Sequence, residues 1–195
     1  YSTLNNTSIA FGLSERNFLG NGNKVNFQTD ISDKKSTYSI GVTEPYFLDR
    51  PLSLSFNIFN MSSENTKGDI QSDTSGFDLG LGIKKENFFQ KLDYKYSSSE
   101  TTTSESSTAS STTGEEGVEI ITSSITYSLS KDTRDSFFNP TSGYNWQFNN
   151  TLAGLGGDAS FFKSVFKSKS FYPINYGDFI FGFKTGAGFV TSIDD

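Results

Sequence analysis

Apolar and polar residues alternate along almost the whole chain, and that period of two restricts what the chain can fold into. A repeat of two marks a strand whose faces meet different surroundings. In PLSLSFNIF, Leu52, Leu54, Phe56 and Ile58 share one face, and Ser53, Ser55 and Asn57 share the other. KVNFQTDI sets Val25, Phe27 and Ile31 against Lys24, Asn26, Gln28 and Asp30. GFDLGLGI sets Phe77, Leu79, Leu81 and Ile83 against Asp78, Gly80 and Gly82. YNWQFN and FIFGFKTGAGF repeat the pattern with Tyr144, Trp146 and Phe148, then Phe179, Phe181, Phe183 and Phe189. The alternation predicts ten strands, over 7–14, 23–31, 37–44, 51–60, 75–84, 90–97, 118–130, 143–152, 160–172 and 178–190, and no helix. Ten such strands make an antiparallel meander, closed as a barrel or folded as a sandwich.

Composition narrows the functions. The chain has 195 residues, a length that suits one domain. Neither Cys nor His occurs. Disulfides, thiol chemistry, Ser-His and Cys-His nucleophile pairs and most transition-metal sites are thereby excluded. Sixteen basic against 22 acidic residues leave a net charge of −6. With no basic cluster in the sequence, no nucleic-acid partner is expected. The apolar share is only 33%, yet 20 Phe and 9 Tyr raise the aromatic share to 15%. A soluble core of this size usually holds more Leu, Val and Ala. Met61 is the single Met, and no signal peptide or long apolar helix is present, so the chain reads as processed or as an internal segment.

The connections separate barrel from sandwich. One set carries aromatics: ERNFLGNG, EPYFLDRP, KENFFQ, KDTRDSFFNPTSG and YPINYGD. The other is polar and uneven: SDKKS (32–36), residues 62–74, the Ser/Thr/Glu tract 97–117 and AGLGGDA (153–159). In a meander every second connection lies at the same end. One end therefore has compact aromatic turns and the other hydrophilic loops, the layout of an outer-membrane barrel. Phe18, Tyr46, Phe47, Phe88, Phe89, Phe137, Phe138 and Tyr172 would form an interfacial girdle at the turn end. A soluble sandwich would bury its apolar stripes between two facing sheets instead. The membrane reading accounts for the girdle and the loop layout together. The expected fold is an all-β, antiparallel up-and-down transmembrane β-barrel domain over 1–195. The tract 97–117 is expected as a disordered surface loop, because it has too little apolar surface to offset its ordering entropy.

No catalytic site is read. Asp132 and Asp135 around Arg134 could pose as a carboxylate pair, but a short turn offers no substrate cleft. The plainer reading is an ion-paired turn in which Arg134 bridges both acids and Pro140 stops strand pairing. Gly154, Gly156 and Gly157 suggest phosphate binding only superficially, because no helix follows. Gly20 and Gly22 suit turn geometry with positive φ. Glu115, Glu116 and Glu119 could offer oxygen ligands to Ca²⁺, though nothing else in the tract supports this. No cofactor or metal is expected.

LSERNFLGNG (13–22), VTEPYFLDRPLSLSF (42–56) and LSKDTRDSFFNPTSGYNW (129–146) together resemble the barrels of the outer-membrane protein assembly factors, and more broadly the bacterial surface antigen superfamily. The three stretches occur in order, and the resemblance covers essentially the whole chain. It implies about ten strands of a sixteen-stranded barrel, with these stretches as periplasmic turns. The matching turn positions are Asn17, Phe18, Leu19, Gly20 and Gly22; Glu44, Pro45, Tyr46 and Phe47; and Asp132, Arg134, Asp135, Pro140 and Gly143. It also implies a non-enzymatic role in folding and inserting β-barrel clients into the bacterial outer membrane. The implied partners are outer-membrane lipid, unfolded clients, POTRA repeats of the same chain and accessory lipoproteins. Those repeats, the family's Val-Arg-Gly-Phe loop and its last strands are expected outside this segment. A transport pore, such as a two-partner secretion transporter or a porin, is the alternative.

Overall fold

A computed structural model describes residues 8–64, 70–103, 117–174 and 178–193. The strands are β1 Ser8–Phe18, β2 Asn23–Ser32, β3 Lys35–Glu44, β4 Leu52–Glu64 and β5 Ile70–Lys85. They continue as β6 Phe88–Thr103, β7 Val118–Asp132, β8 Gly143–Ala153, β9 Phe161–Ile174 and β10 Phe179–Ser192. Each pairs antiparallel with the next, in sequence order, in one ten-stranded sheet. β1 and β10 are its two edges. A sandwich needs a second sheet, and none faces this one among the described residues. Phe56, Phe148 and Phe181 accordingly remain 41%, 36% and 55% exposed.

Directly opposed residues share a face, so the register carries each strand's stripe across the sheet. One row runs Val25, Val42, Phe56, Leu79, Tyr94, Ile125, Leu152 and Phe162. The next row runs Thr43, Ser55, Gly80, Asp93, Thr126, Thr151 and Lys163. Polar neighbours bond across it, as in Thr126 Oγ1 to Thr151 Oγ1 at 2.8 Å.

The polar face is the crowded one. A Cβ added at Gly80 would lie 2.5 Å from Asp93 Oδ1 and 2.6 Å from Ser55 Oγ. One at Gly82 would lie 2.7 Å from Ser53 Oγ, and one at Gly76 only 2.2 Å from the Tyr96 carbonyl oxygen. The apolar face meanwhile stays open. Converging side chains on one face and splayed ones on the other are what coiling toward the polar face produces, the curvature of a barrel wall.

Three features depart from the sequence reading. Residues 97–103, expected in a disordered loop, are strand: Ser99 pairs with both Thr74 and Ile120, and its Oγ lies 3.0 Å from Thr74 Oγ1. Ser and Thr leave no apolar stripe, but neighbouring strands satisfy the backbone and the hydroxyls pair laterally. The rest of that tract, 104–116, and residues 65–69 of the expected 62–74 loop lie outside the described residues. A 3-10 turn, Phe47–Asp49, is the one helical element among the described residues, where no helix was expected. Connection length also separates the ends less cleanly than expected. β2 and β3 join through Asp33 and Lys34 alone at the loop end, whereas β7 and β8 are joined by residues 133–142 at the turn end.

The Gly-rich β8–β9 connection is docked rather than free. Its Asp158 carboxylate accepts the Ile121 N–H at 2.8 Å, and the Asp158 N–H donates to the Ile121 carbonyl at 2.7 Å. Gly154 N–H reaches the Ser123 carbonyl at 3.2 Å. These bonds continue the ladder along β7 beyond the last strand pair, Ser124 with Ala153.

Two outcomes follow from the packing. Replacing Gly76 with Ala in the complete protein should cost about 1–3 kcal/mol in lipid-vesicle urea unfolding, as overpacking does elsewhere. Residues 1–195 alone, with both edges open, should aggregate in buffer without detergent. A monodisperse monomer with a sharp melting transition would contradict that.

Candidate functional site

The outward face changes character toward the turn end. Lys131 lies between two large aromatics in its cross-strand row, opposite Phe88 on β6 and Trp146 on β8. Its Nζ sits 4.7 Å from the Phe88 ring centroid and 5.7 Å from that of Tyr144. Phe88 and Trp146 meet edge to face at 6.4 Å. A lysine whose stem lies among rings while its ammonium reaches past them fits a hydrocarbon–water boundary. The expected girdle divides here. Phe88 faces outward, but Phe89 occupies the polar face, where it covers Gly82. Adjacent residues on a strand cannot both point to lipid.

Below this belt, three turns use one device: an acidic side chain at the strand end accepts the backbone N–H two residues on. Glu15 Oε1 accepts from Asn17 at 2.8 Å, Glu44 Oε1 from Tyr46 at 3.1 Å, and Asp132 Oδ1 from Arg134 at 3.2 Å. Glu15 was not among the predicted turn residues. Its signal was an acid two positions before the turn, the spacing shared by Glu44 and Asp132.

In β1–β2, Asn17 Oδ1 then accepts the Gly22 N–H at 2.7 Å, and Gly20 and Gly22 take φ of +78° and +75°. Leu19, immediately before Gly20, is also left-handed, at 54°. In β3–β4, Pro45 leads into the 3-10 turn, with Tyr46 exposed and Phe47 half-buried. Phe18 ends β1 at an irregular register beside Glu15.

The β7–β8 connection is the most elaborate. Arg134 clamps Asp132 through Nε to Oδ1 at 2.9 Å and Nη2 to Oδ2 at 2.6 Å. Arg134 does not bridge both acids as expected. Asp135 turns away from it and accepts the N–H groups of Ser136 (2.9 Å), Thr141 (2.9 Å) and Ser142 (3.1 Å), together with the Thr141 hydroxyl. Arg134 instead covers Phe137, at 5.2 Å from its centroid, and Phe137 stacks edge-on against Phe138 at 5.3 Å. Both rings remain largely exposed. Gly143 re-enters the sheet at φ +91°, where a Cβ would fall 2.4 Å from the Thr133 carbonyl oxygen. Pro140 stands just before that re-entry, outside the ladder.

These turns form one rim. An open groove of about 470 Å³ runs between the β1–β2 and β3–β4 turns, lined by Gly22, Glu44 and residues 45–49. Adjoining grooves continue past Phe89 to Asp132 and Asn145. No cluster of three or more potential metal-ligating side chains occurs among the described residues. Glu119 accepts the Ser98 hydroxyl at 2.6 Å, while Glu115 and Glu116 lie outside the described residues.

Hydrogen bonds from Thr141 and Ser142 hold the Asp135 carboxyl far below the usual carboxylate range. A depressed folded pKa means that its contribution is complete above the unfolded value, about 4, and is lost as pH falls through the folded one. NMR shifts of the Thr141 and Ser142 amides should therefore stay constant from neutral pH to about 4 and move only below that. Asp135→Asn should displace them already at neutral pH.

Residues 17–194 match the Omp85 superfamily domain. The chain is similar to outer membrane protein assembly factor BamA of Neorickettsia risticii, 25% identical over 84% of this chain and 22% of that protein. It is similar to sorting and assembly machinery component 50 homolog A of Xenopus laevis, 26% identical over 86% of this chain and 36% of that one. The chain thus spans between about a fifth and two fifths of such relatives. The crystal structure of BamA from Haemophilus ducreyi lacking POTRA domains 1–3 superposes on 95% of this chain and 38% of that one, with a TM-score of 0.83 at 18% identity. That match identifies the ten-stranded sheet as part of a barrel wall of this kind. Its continuous antiparallel ladder, its outward apolar belt and the match over residues 17–194 place the chain in the Omp85 superfamily.

Proposed function

We propose that this chain is barrel wall from an outer-membrane assembly factor of a Gram-negative bacterium, one that folds and inserts β-barrel proteins without enzymatic chemistry. The observation that carries the reading is the superfamily match over nearly the whole chain, together with relatives named as assembly factors in bacteria and animals. The absence of His and Cys from the sequence fits a role in which no covalent bond changes.

The physical task is to lower the barrier for unpaired strands entering lipid. Hydrocarbon offers no partner to a free N–H or C=O, so an incoming strand must pair on an existing edge. A wall of ten consecutively paired strands is rigid through its ladders and holds such an edge in place. The rim supports a second role. Its grooves and the exposed Phe137–Phe138 pair give the turns Asn17–Gly22, Glu44–Phe47 and Asp132–Gly143 a shaped surface. POTRA repeats and accessory lipoproteins would meet the barrel there.

Reconstituted into liposomes, the complete protein should speed folding of an unfolded outer-membrane barrel, followed by its heat-modifiable gel shift. Ion conductance without such acceleration would favour the transport-pore reading. Arg134→Ala should slow client assembly or lower the protein's own gel-shift temperature. An unchanged result in both would remove the turn from the mechanism.

A further inference from the structure

We propose that Lys131, Tyr144 and Trp146 form a binding site for the phosphate of an anionic glycerophospholipid in the turn-end leaflet. The site rests on the barrel-wall reading and goes beyond it, since it assigns the outward face a ligand. The first observation is unmatched charge. Lys131 is half-buried among rings, with its Nζ 4.7 Å from the Phe88 centroid and 5.7 Å from that of Tyr144. Ring faces attract an ammonium without neutralising it. Lys131 forms no ion pair among the described residues, where Lys91 pairs with Asp93 and Arg134 with Asp132. Asp132, its chain neighbour, faces the other side of the sheet and is held by Arg134. The outward positions around Lys131 are Phe88, Gln90, Leu129, Tyr144, Trp146 and Phe148, none of them acidic. Lys85 stands opposite Phe88 in the same row and adds a second cation to this margin.

The second observation is a set of donors without acceptors. The Tyr144 O–H and the Trp146 indole N–H have no hydrogen-bond partner among the described residues. Elsewhere on this face the phenols are satisfied within the sheet, Tyr94 by Ser123 at 2.9 Å and Tyr127 by Gln90 at 3.1 Å. Opposite Trp146 and Tyr144 on β9 stand Ser168 and Ser170, whose hydroxyls are likewise unbonded among the described residues. An ammonium and two ring donors thus share one margin, and the sheet offers them no acceptor. A phosphodiester supplies acceptor oxygens and negative charge together. Its acyl chains would lie over Leu129, Phe148 and Phe166, the next outward row toward the loop end. A free anion lacks those chains. A zwitterionic headgroup would bring an ammonium of its own to a margin that already holds Lys85 and Lys131, so an anionic lipid fits best.

Bromolipid quenching tests this on the complete protein in phosphatidylcholine nanodiscs, with the Trp146 signal taken as the difference between wild type and Trp146→Phe. Brominated phosphatidylglycerol should quench with about fivefold higher apparent affinity than brominated phosphatidylcholine, the effect of one lysine beside an anionic lipid. The preference should shrink toward one at about 0.5 M salt as screening grows. Lys131→Gln should abolish it and Lys131→Arg should keep it, with the heat-modifiable gel shift reporting that both fold. Should Lys131→Gln not fold, the wild-type preference and its salt dependence still carry the test. Lys167→Gln removes the same charge from the inner face and should leave the preference intact. Equal quenching by the two lipids, a preference that survives Lys131→Gln, or its loss in Lys167→Gln would overturn the proposal. So would displacement by inorganic phosphate, which would make this a site for a free anion. Quenching without preference removes this inference alone. Quenching by neither lipid would show Trp146 covered by protein and would remove the outward-belt reading as well.

Discussion

Every feature of this chain answers to the demand that backbone N–H and C=O groups find partners where water is absent. In hydrocarbon an unpaired group costs on the order of several kcal/mol, so only continuous pairing can carry strands across. Ten strands paired strictly in sequence order meet that demand with short-range connections. Where β7 outruns β8, the β8–β9 connection takes over, with Asp158 and Gly154 bonding to Ile121 and Ser123. Only the outer sides of β1 and β10 lack a partner among the described strands, and these are the edges along which a larger barrel continues.

Pairing fixes the faces, and the faces sort the charges. The net charge of −6 averages two opposed distributions. Outward positions beyond the apolar belt hold acids, with Asp73, Glu100 and Glu119 in one cross-strand row at the loop end. Inward positions hold mostly lysines, and on β9 and β10 only lysines. An outward charge at mid-belt would meet acyl chains, so the charged groups of that face lie at its margins. The inner face carries the polar stripe, and there opposite charges can meet, as Lys91 meets Asp93.

The turns show how a barrel end is made rigid without a core. Glu44 and Asp132 each terminate a strand by capturing the N–H two residues on, and Glu15 does the same at the register break before Phe18, so each satisfies a donor that the ladder releases. The β7–β8 connection adds the Asp135 carboxylate as a hub for three N–H groups. That placement fixes a ten-residue excursion through polar bonds alone and leaves Phe137 and Phe138 free to contact something else.

Much of this was legible in the order of residues. Strict alternation revealed ten strands and their stripes, because side chains on a strand must alternate and one face here meets oil. Glycine and proline marked the turns for equally local reasons. Other features depended on partners far along the chain. Residues 97–103 carry no apolar stripe, and only pairing with β5 and β7 makes them strand. Asp132 and Asp135 flank Arg134 equally in sequence, yet backbone direction gives one to the guanidinium and the other to the loop. Periodicity, a property of each strand alone, determined which residues face lipid; register and curvature, which exist only once strands stand side by side, decided what each inward residue touches.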